Sequence, residues 1–304
     1  MEFMTKTFTP DTIYMWDQLL NDYFFVAATA FLLFELVRYA VKRRLSWNLL
    51  GDTVTNYVTL AMFLGIGFLI GAAYIAAFYV VYEFFSLWTA PINGWSILLC
   101  IVLADVAYYC EHRFMHRVGL AWATHTVHHS SPHFNISVAY RFGPLDSIFP
   151  IFFHLPLAML GFHPILIFFA EIVVQLYQTV LHTEAVGKLP RPVEAVMNTP
   201  SHHRVHHGSN PEYLDKNYAG IFIVWDKLFG TFAEEQATVT YGLVKPVDSV
   251  NPLTVFFHGI GRLYHKLRSA DSFSAAVGYL TRPPDWTPKS SVATTADSAT
   301  GRQR

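Results

Sequence analysis

The chain has 304 residues, of which 53% are hydrophobic and only 14% charged, and its formal net charge is −1. So few charges cannot clothe an ordinary globular surface with solvated groups, which makes a membrane protein the expected class. The near-neutral balance lacks the basic excess that phosphate neutralisation demands, so nucleic acid is not an expected partner.

In chain order, the opening stretch MEFMTKTFTPDTIYMWDQLLND has neither a basic region leading into an apolar run nor a small-residue cleavage site. A cleaved signal peptide is therefore not expected, and targeting falls to the first membrane helix. A bilayer core of about 30 Å takes about 20 mostly apolar helical residues to cross. Residues 23–41 form the first such span, interrupted by Glu35 and Arg38, whose spacing lets them pair or mark an inward face. Residues 57–81 form the second and contain Gly67 and Gly71, a GxxxG spacing that lets another helix approach closely in lipid. Gly65 and Gly67 imitate a nucleotide fingerprint but lack the preceding strand it requires.

After the turn at residues 89–94, a third span over residues 95–110 runs straight into His112. Its two cysteines, Cys100 and Cys110, are too few and too closely placed for a disulfide framework. Residues 145–160 and 164–180 read as an apolar hairpin, giving four or five membrane segments in all. The short-loop cations Lys42, Arg43, Arg44, Arg113, Arg117, Lys188, Arg191 and Arg204 all fall on the histidine-bearing side. That bias predicts a multi-pass protein with its histidines facing the cytoplasm. The organisation expected is N-terminal membrane helices over residues 1–94, a catalytic region over 95–264 and a C-terminal segment over 265–304. The tail from Pro283 is expected to be disordered.

Ten of the 15 histidines crowd into residues 112–129, His182 and residues 202–207. His112 and His116 are spaced i, i+4, and the triplets His125, His128, His129 and His203, His206, His207 repeat H-x-x-H-H, offsets that converge on one face of a helix. Neutral imidazole ligates iron, zinc and copper, and eight such residues with His182 as a ninth exceed what one ion uses, so a dimetal site is expected. Asp105, seven residues before His112, shares its helical face and is a candidate to orient a ligating imidazole. His133, His154, His163, His258 and His265 stand singly and read as packing or surface residues, while His202 points away from the triplet that follows it. The Arg-Phe-Met between His112 and His116 lacks the glutamate of an HExxH peptidase. Metal transport, which places ligands near the bilayer midplane, fits poorly with boxes at the ends of spans.

In this order, HRFMH, HTVHH and HHRVHH resemble the three histidine boxes of the fatty acid hydroxylase and sterol desaturase superfamily of membrane di-iron enzymes. Within it, residues 176–232 are similar to the alkylglycerol monooxygenase group, which has a glutamate where this chain has Arg117. The resemblance implies an all-α integral membrane fold with a cytosolic histidine-rich helical cap. It also implies two irons held by His112, His116, His125, His128, His129, His203, His206 and His207, with His182 beside them. The implied activity is O2-dependent hydroxylation of a lipid C–H bond, with cleavage of alkylglycerol ethers as one outcome and sterol, fatty acyl or carotenoid hydroxylation or desaturation as the alternative. A non-catalytic metal-binding or transport protein is the reading from another class. No flavin or nicotinamide fingerprint is present, so an external reductant is expected, either tetrahydropterin or an electron-donor protein.

Overall fold

A computed structural model describes residues 2–288, so the last sixteen positions, which carry most of the tail expected to be disordered, lie outside the described residues. Helices and loops make up the described chain, with two isolated bridges, Met197 to Phe222 and Gly208 to Tyr241, in place of strands. The helices are α1 (Glu2–Thr5), α2 (Pro10–Val41), α3 (Trp47–Phe85), α4 (Gly94–Arg117), α5 (Gly119–His125), α6 (Pro150–Met159), α7 (Pro164–Leu181), α8 (Arg191–Val196), α9 (Pro200–His206), α10 (Val224–Phe229), α11 (Pro252–Arg268) and α12 (Phe273–Thr281).

Four of them, α2, α3, α4 and α7, are long and apolar enough to cross a membrane, and α6 is a shorter apolar helix. Local chemistry sets where they begin. Thr9 caps α2 ahead of Pro10, Ser46 caps α3, and Asn93 with Ser96 forms a reciprocal capping box at α4. The first span is expected from residue 23, yet the helix runs from Pro10, with Asp11, Asp17 and Asp22 in its early turns. At 39 residues, α3 is about 58 Å long at 1.5 Å per residue, nearly twice the hydrocarbon thickness.

The core lies between α4 and α7, where Cys100 and Ala104 pack with Leu166, Ile167 and Ala170, small residues opposite branched ones. Gly67 and Gly71 do not serve such a contact: a Cβ added to either would meet nothing within 4 Å. The close approach of helices expected there instead occurs at Gly259 of α11, which lies against the backbone carbonyl of Ala123 in α5. The boundary placed at 264/265 falls inside α11, whose contacts with α5 and α12 tie the C-terminal helices to the histidine region.

Glu35 of α2 is fully buried and accepts hydrogen bonds from the Ile136 amide and the Thr183 hydroxyl, at 2.8 and 2.6 Å. Arg38 donates to the Glu184 carbonyl instead of pairing with Glu35, so this helix face points inward. An acidic side chain in an apolar helix is tolerated because it is fully bonded, and its bonds pin the loops on either side of the histidines.

Candidate metal centre

The histidines arrive from four pieces of chain. His112 and His116 leave one face of α4 a turn apart, as their spacing predicts. His125 ends α5, while His128 and His129 sit in a short 3-10 turn, so the second triplet does not occupy the regular helix expected of it. In the third, Thr199 caps α9 and Pro200 fills its first position, which starts the helix abruptly and brings His203 and His206 to one side, with His207 at the C-cap. His182 caps the end of α7.

Nine imidazoles fall into two cradles. His112, His116, His125, His129 and His206 form one, and His128, His182, His203 and His207 the other, with ligand atoms in each within 4.8 Å of one another. In the first, His125 Nε2 lies 3.1 Å from His112 Nε2 and 3.3 Å from His129 Nε2; in the second, His182 Nε2 lies 3.3 Å from His128 Nε2 and 3.0 Å from His203 Nε2. His202 points away, with Nε2 3.6 Å from a Glu194 oxygen.

The outward ring nitrogens explain why the inward ones converge. His112 Nδ1 donates to the Tyr218 carbonyl at 2.9 Å, His182 Nδ1 to that of Gln178 at 2.9 Å, His206 Nδ1 to that of Lys216 at 3.0 Å and His128 Nδ1 to that of Arg141 at 3.3 Å. A carbonyl only accepts, so each bond assigns the proton to Nδ1 and leaves the Nε2 lone pair facing the centre. Burial, followed by the neighbouring imidazoles, holds His125, His129, His203 and His207 well below the usual imidazole range, and burial lowers His182 to about 4. His116, His206 and His207 each keep a buried Nε2 with no hydrogen-bond partner. Buried, neutral, oriented lone pairs without donors are an arrangement that a metal ion satisfies.

Several supports had no sequence signal. Asp215 lies 3.6 Å from His116 Nδ1 and 2.8 Å from Arg117; burial raises its carboxyl, but these partners outweigh that and hold it below the usual range. Arg117 thus belongs to the pair that backs a cradle imidazole. Arg141 is 1% exposed and donates to Asp52, Asn56, the Ser130 hydroxyl and the Val127 carbonyl. Asp105 takes a different place from the one expected. It accepts from the amides of Ile221 and Phe222 and from the Trp225 indole, touches no imidazole, and acts on His112 only through the loop that carries the Tyr218 carbonyl.

Two cavities meet at the imidazoles. An inner chamber of about 360 Å³ lies among α3, α4, α6 and α7 and is lined by His112, His125, His128 and His182. An outer chamber of about 730 Å³, walled by α5, α11 and α12, is lined by His116, His129, His206 and His207. The cradles lie between the two chambers, each of which reaches imidazoles of both.

Helices fit to span a membrane, joined to a buried two-cradle histidine centre, define a class of membrane-embedded histidine metalloproteins. Residues 97–231 match the fatty acid hydroxylase family model. It is 41% identical over 197 residues to the alkylglycerol monooxygenase of Danio rerio, covering 64% of this chain and 44% of that protein. It is 39% identical over 209 residues to the Homo sapiens enzyme of that name, covering 68% and 46%. The ornithine lipid hydroxylase OlsE of Rhizobium tropici is 29% identical over 140 residues, covering 46% and 42%. The chain spans less than half the length of these curated relatives, and no solved structure matches it.

Proposed function

We propose that the chain is a membrane lipid monooxygenase that holds two irons, one in each histidine cradle, and places one atom of O2 into a lipid C–H bond. The observation that carries this reading is the inner chamber, which ends on four cradle imidazoles and is bounded by membrane helices. The net reaction converts R–H, O2, two electrons and two protons into R–OH and water. Reduced iron, when bound, supplies the electrons that activate O2.

The chain's own residues set the conditions. The Nδ1 bonds to carbonyls fix four of the nine rings, which limits the reorganisation left for the reaction. Phe63, Met115, Phe142 and Phe168 give the inner chamber an apolar lining that seats an alkyl chain and excludes water. The alkylglycerol monooxygenase relatives support an ether lipid as substrate. Hydroxylation of the carbon beside the ether oxygen yields a hemiacetal, which breaks its C–O bond to give an aldehyde and glycerol. The likeness to ornithine lipid hydroxylase supports a second reading, hydroxylation of another lipid without cleavage.

The reductant is external, a tetrahydropterin or a protein of the ferredoxin or cytochrome type, and it approaches from the outer chamber on the cytoplasmic side. The test is metal analysis after anaerobic purification, combined with O2-dependent turnover of a 1-O-alkylglycerol. Two irons per chain and release of fatty aldehyde are expected; a single loosely held zinc with no turnover of any lipid would overturn the reading.

A further inference from the structure

The inner chamber carries polar groups that an unsubstituted hydrocarbon chain would leave unsatisfied. Glu111 of α4, His154 of α6 and Glu171 of α7 meet in its wall, with His154 Nδ1 3.7 Å from a carboxylate oxygen of each glutamate. That nitrogen donates to the Pro150 carbonyl at 3.1 Å, so neither carboxylate receives its proton. Glu171 Oε1 is buried with no hydrogen-bond partner. Asp146, 8% exposed and lining the same chamber, takes the Gly143 amide on one oxygen and leaves Oδ1 buried and unpartnered. The Ser147 hydroxyl beside it is buried without a partner as well. Neither lysine nor arginine is among the lining residues.

Buried polar atoms without partners are costly, and acidic groups gathered without a cation disfavour any further negative charge. The missing complement is a group that brings N–H or O–H donors and no anion. His154 and the two glutamates lie outside both cradles.

We propose that Glu111, Asp146 and Glu171 form a donor-recognition subsite. It fastens the polar end of a lipid bearing free hydroxyl or ammonium groups, and it rejects the same lipid when those groups are capped or phosphorylated. The proposal rests on the lipid monooxygenase reading, since it assigns the specificity of that chamber. Glu111 and Glu171 are specificity-determining residues that touch the substrate away from the carbon attacked.

The test is equilibrium binding to the full chain, loaded with metal and kept anaerobic, so that no turnover is needed. The probes are 1-O-hexadecylglycerol, its di-O-methyl ether, its 3-phosphate and hexadecylamine. Free diol or amine should bind about 10- to 100-fold more tightly than the capped ether and the phosphate, the range expected when one or two buried hydrogen bonds are lost. Whichever of the diol and the amine binds more tightly identifies the donor as hydroxyl or ammonium. In Glu171→Leu the preference over the capped ether should fall to within about threefold, and Glu171→Gln, which keeps an acceptor, should retain part of it. Equal affinity of the unmodified protein for diol, amine and capped ether overturns the proposal, and that comparison requires no variant to fold. Discrimination in binding without turnover of any lipid would leave the subsite standing and remove the monooxygenase reading; turnover of free and capped lipids alike would do the reverse.

Discussion

The Arg141 guanidinium lies 2.8 Å from the Asp52 carboxylate, each side chain only 1% exposed, and the backbone carbonyl of the same arginine holds His128 Nδ1 at 3.3 Å. One residue therefore ties the long helix α3 to the second histidine box. Asp52→Ala leaves a buried guanidinium without its counter-charge, which costs about 3–5 kcal/mol. The expected outcome is a lower unfolding temperature together with weaker metal retention in the cradle of His128, measured by thermal denaturation and metal content after dialysis.

His182 and His202 give opposite predictions although both are buried histidines next to the centre. His182→Ala removes one of four imidazoles from its cradle, so one of two metals per chain should be lost. His202→Ala lies outside both cradles and should keep two. Metal content equal to that of the unmodified protein in His182→Ala would remove this residue from the ligand set.

Acid should destabilise the metal-free chain over a defined window. His182 is neutral in the fold with a pKa near 4, against about 6.5 for an unperturbed imidazole, and the other cradle histidines outside the membrane helices are lowered by burial too. Between those values the unfolded chain binds more protons than the folded one, so stability is fully present above about pH 6.5 and falls as pH drops toward 4. Melting temperatures of the metal-free protein from pH 8 to 4 should decline through that interval, while the metal-loaded protein should hold to lower pH because ligation competes with protonation. Flat metal-free curves would contradict the neutral assignment.

Asp105→Ala should act on the fold more than on the metals. The substitution strips an acceptor from two backbone amides and an indole, each unpaired donor costing about 1–3 kcal/mol, while every cradle ligand remains. A sharply lowered unfolding temperature with two metals still bound is expected. Metal loss without a stability change would instead assign Asp105 to imidazole orientation.

Much of the centre was legible in the chain. His112 and His116 at helical spacing, the two H-x-x-H-H triplets and the lone His182 after an apolar run mark the nine residues that the fold gathers, because imidazole clustering is a side-chain property that survives in a one-dimensional pattern. The partners of those rings were not legible. Tyr218, Gln178, Lys216 and Arg141 contribute backbone carbonyls, which any residue carries, and Asp215 reaches His116 from about a hundred residues away. The GxxxG spacing misled for the complementary reason. It states that a close approach is permitted, and nothing among the described residues approaches Gly67 or Gly71. The polar wall of the inner chamber is legible only in part: Glu171, a carboxyl within an apolar span, has to face protein or a polar cavity, whereas Glu111 and His154 lie on two other helices and join it only once α4, α6 and α7 pack.

The sorting of the rings also bears on how the centre comes into being. The second cradle takes one ring from the second box, one from the end of α7, one from α9 and one from its C-cap, and the first cradle closes with His206. While the chain is being synthesised, only two of the second cradle's four rings exist before residue 203 emerges, too few to retain an ion. Metal capture in the second cradle is thereby deferred until the spans have been made, and a ribosome that stalls ahead of α9 leaves a chain in which that cradle is incomplete.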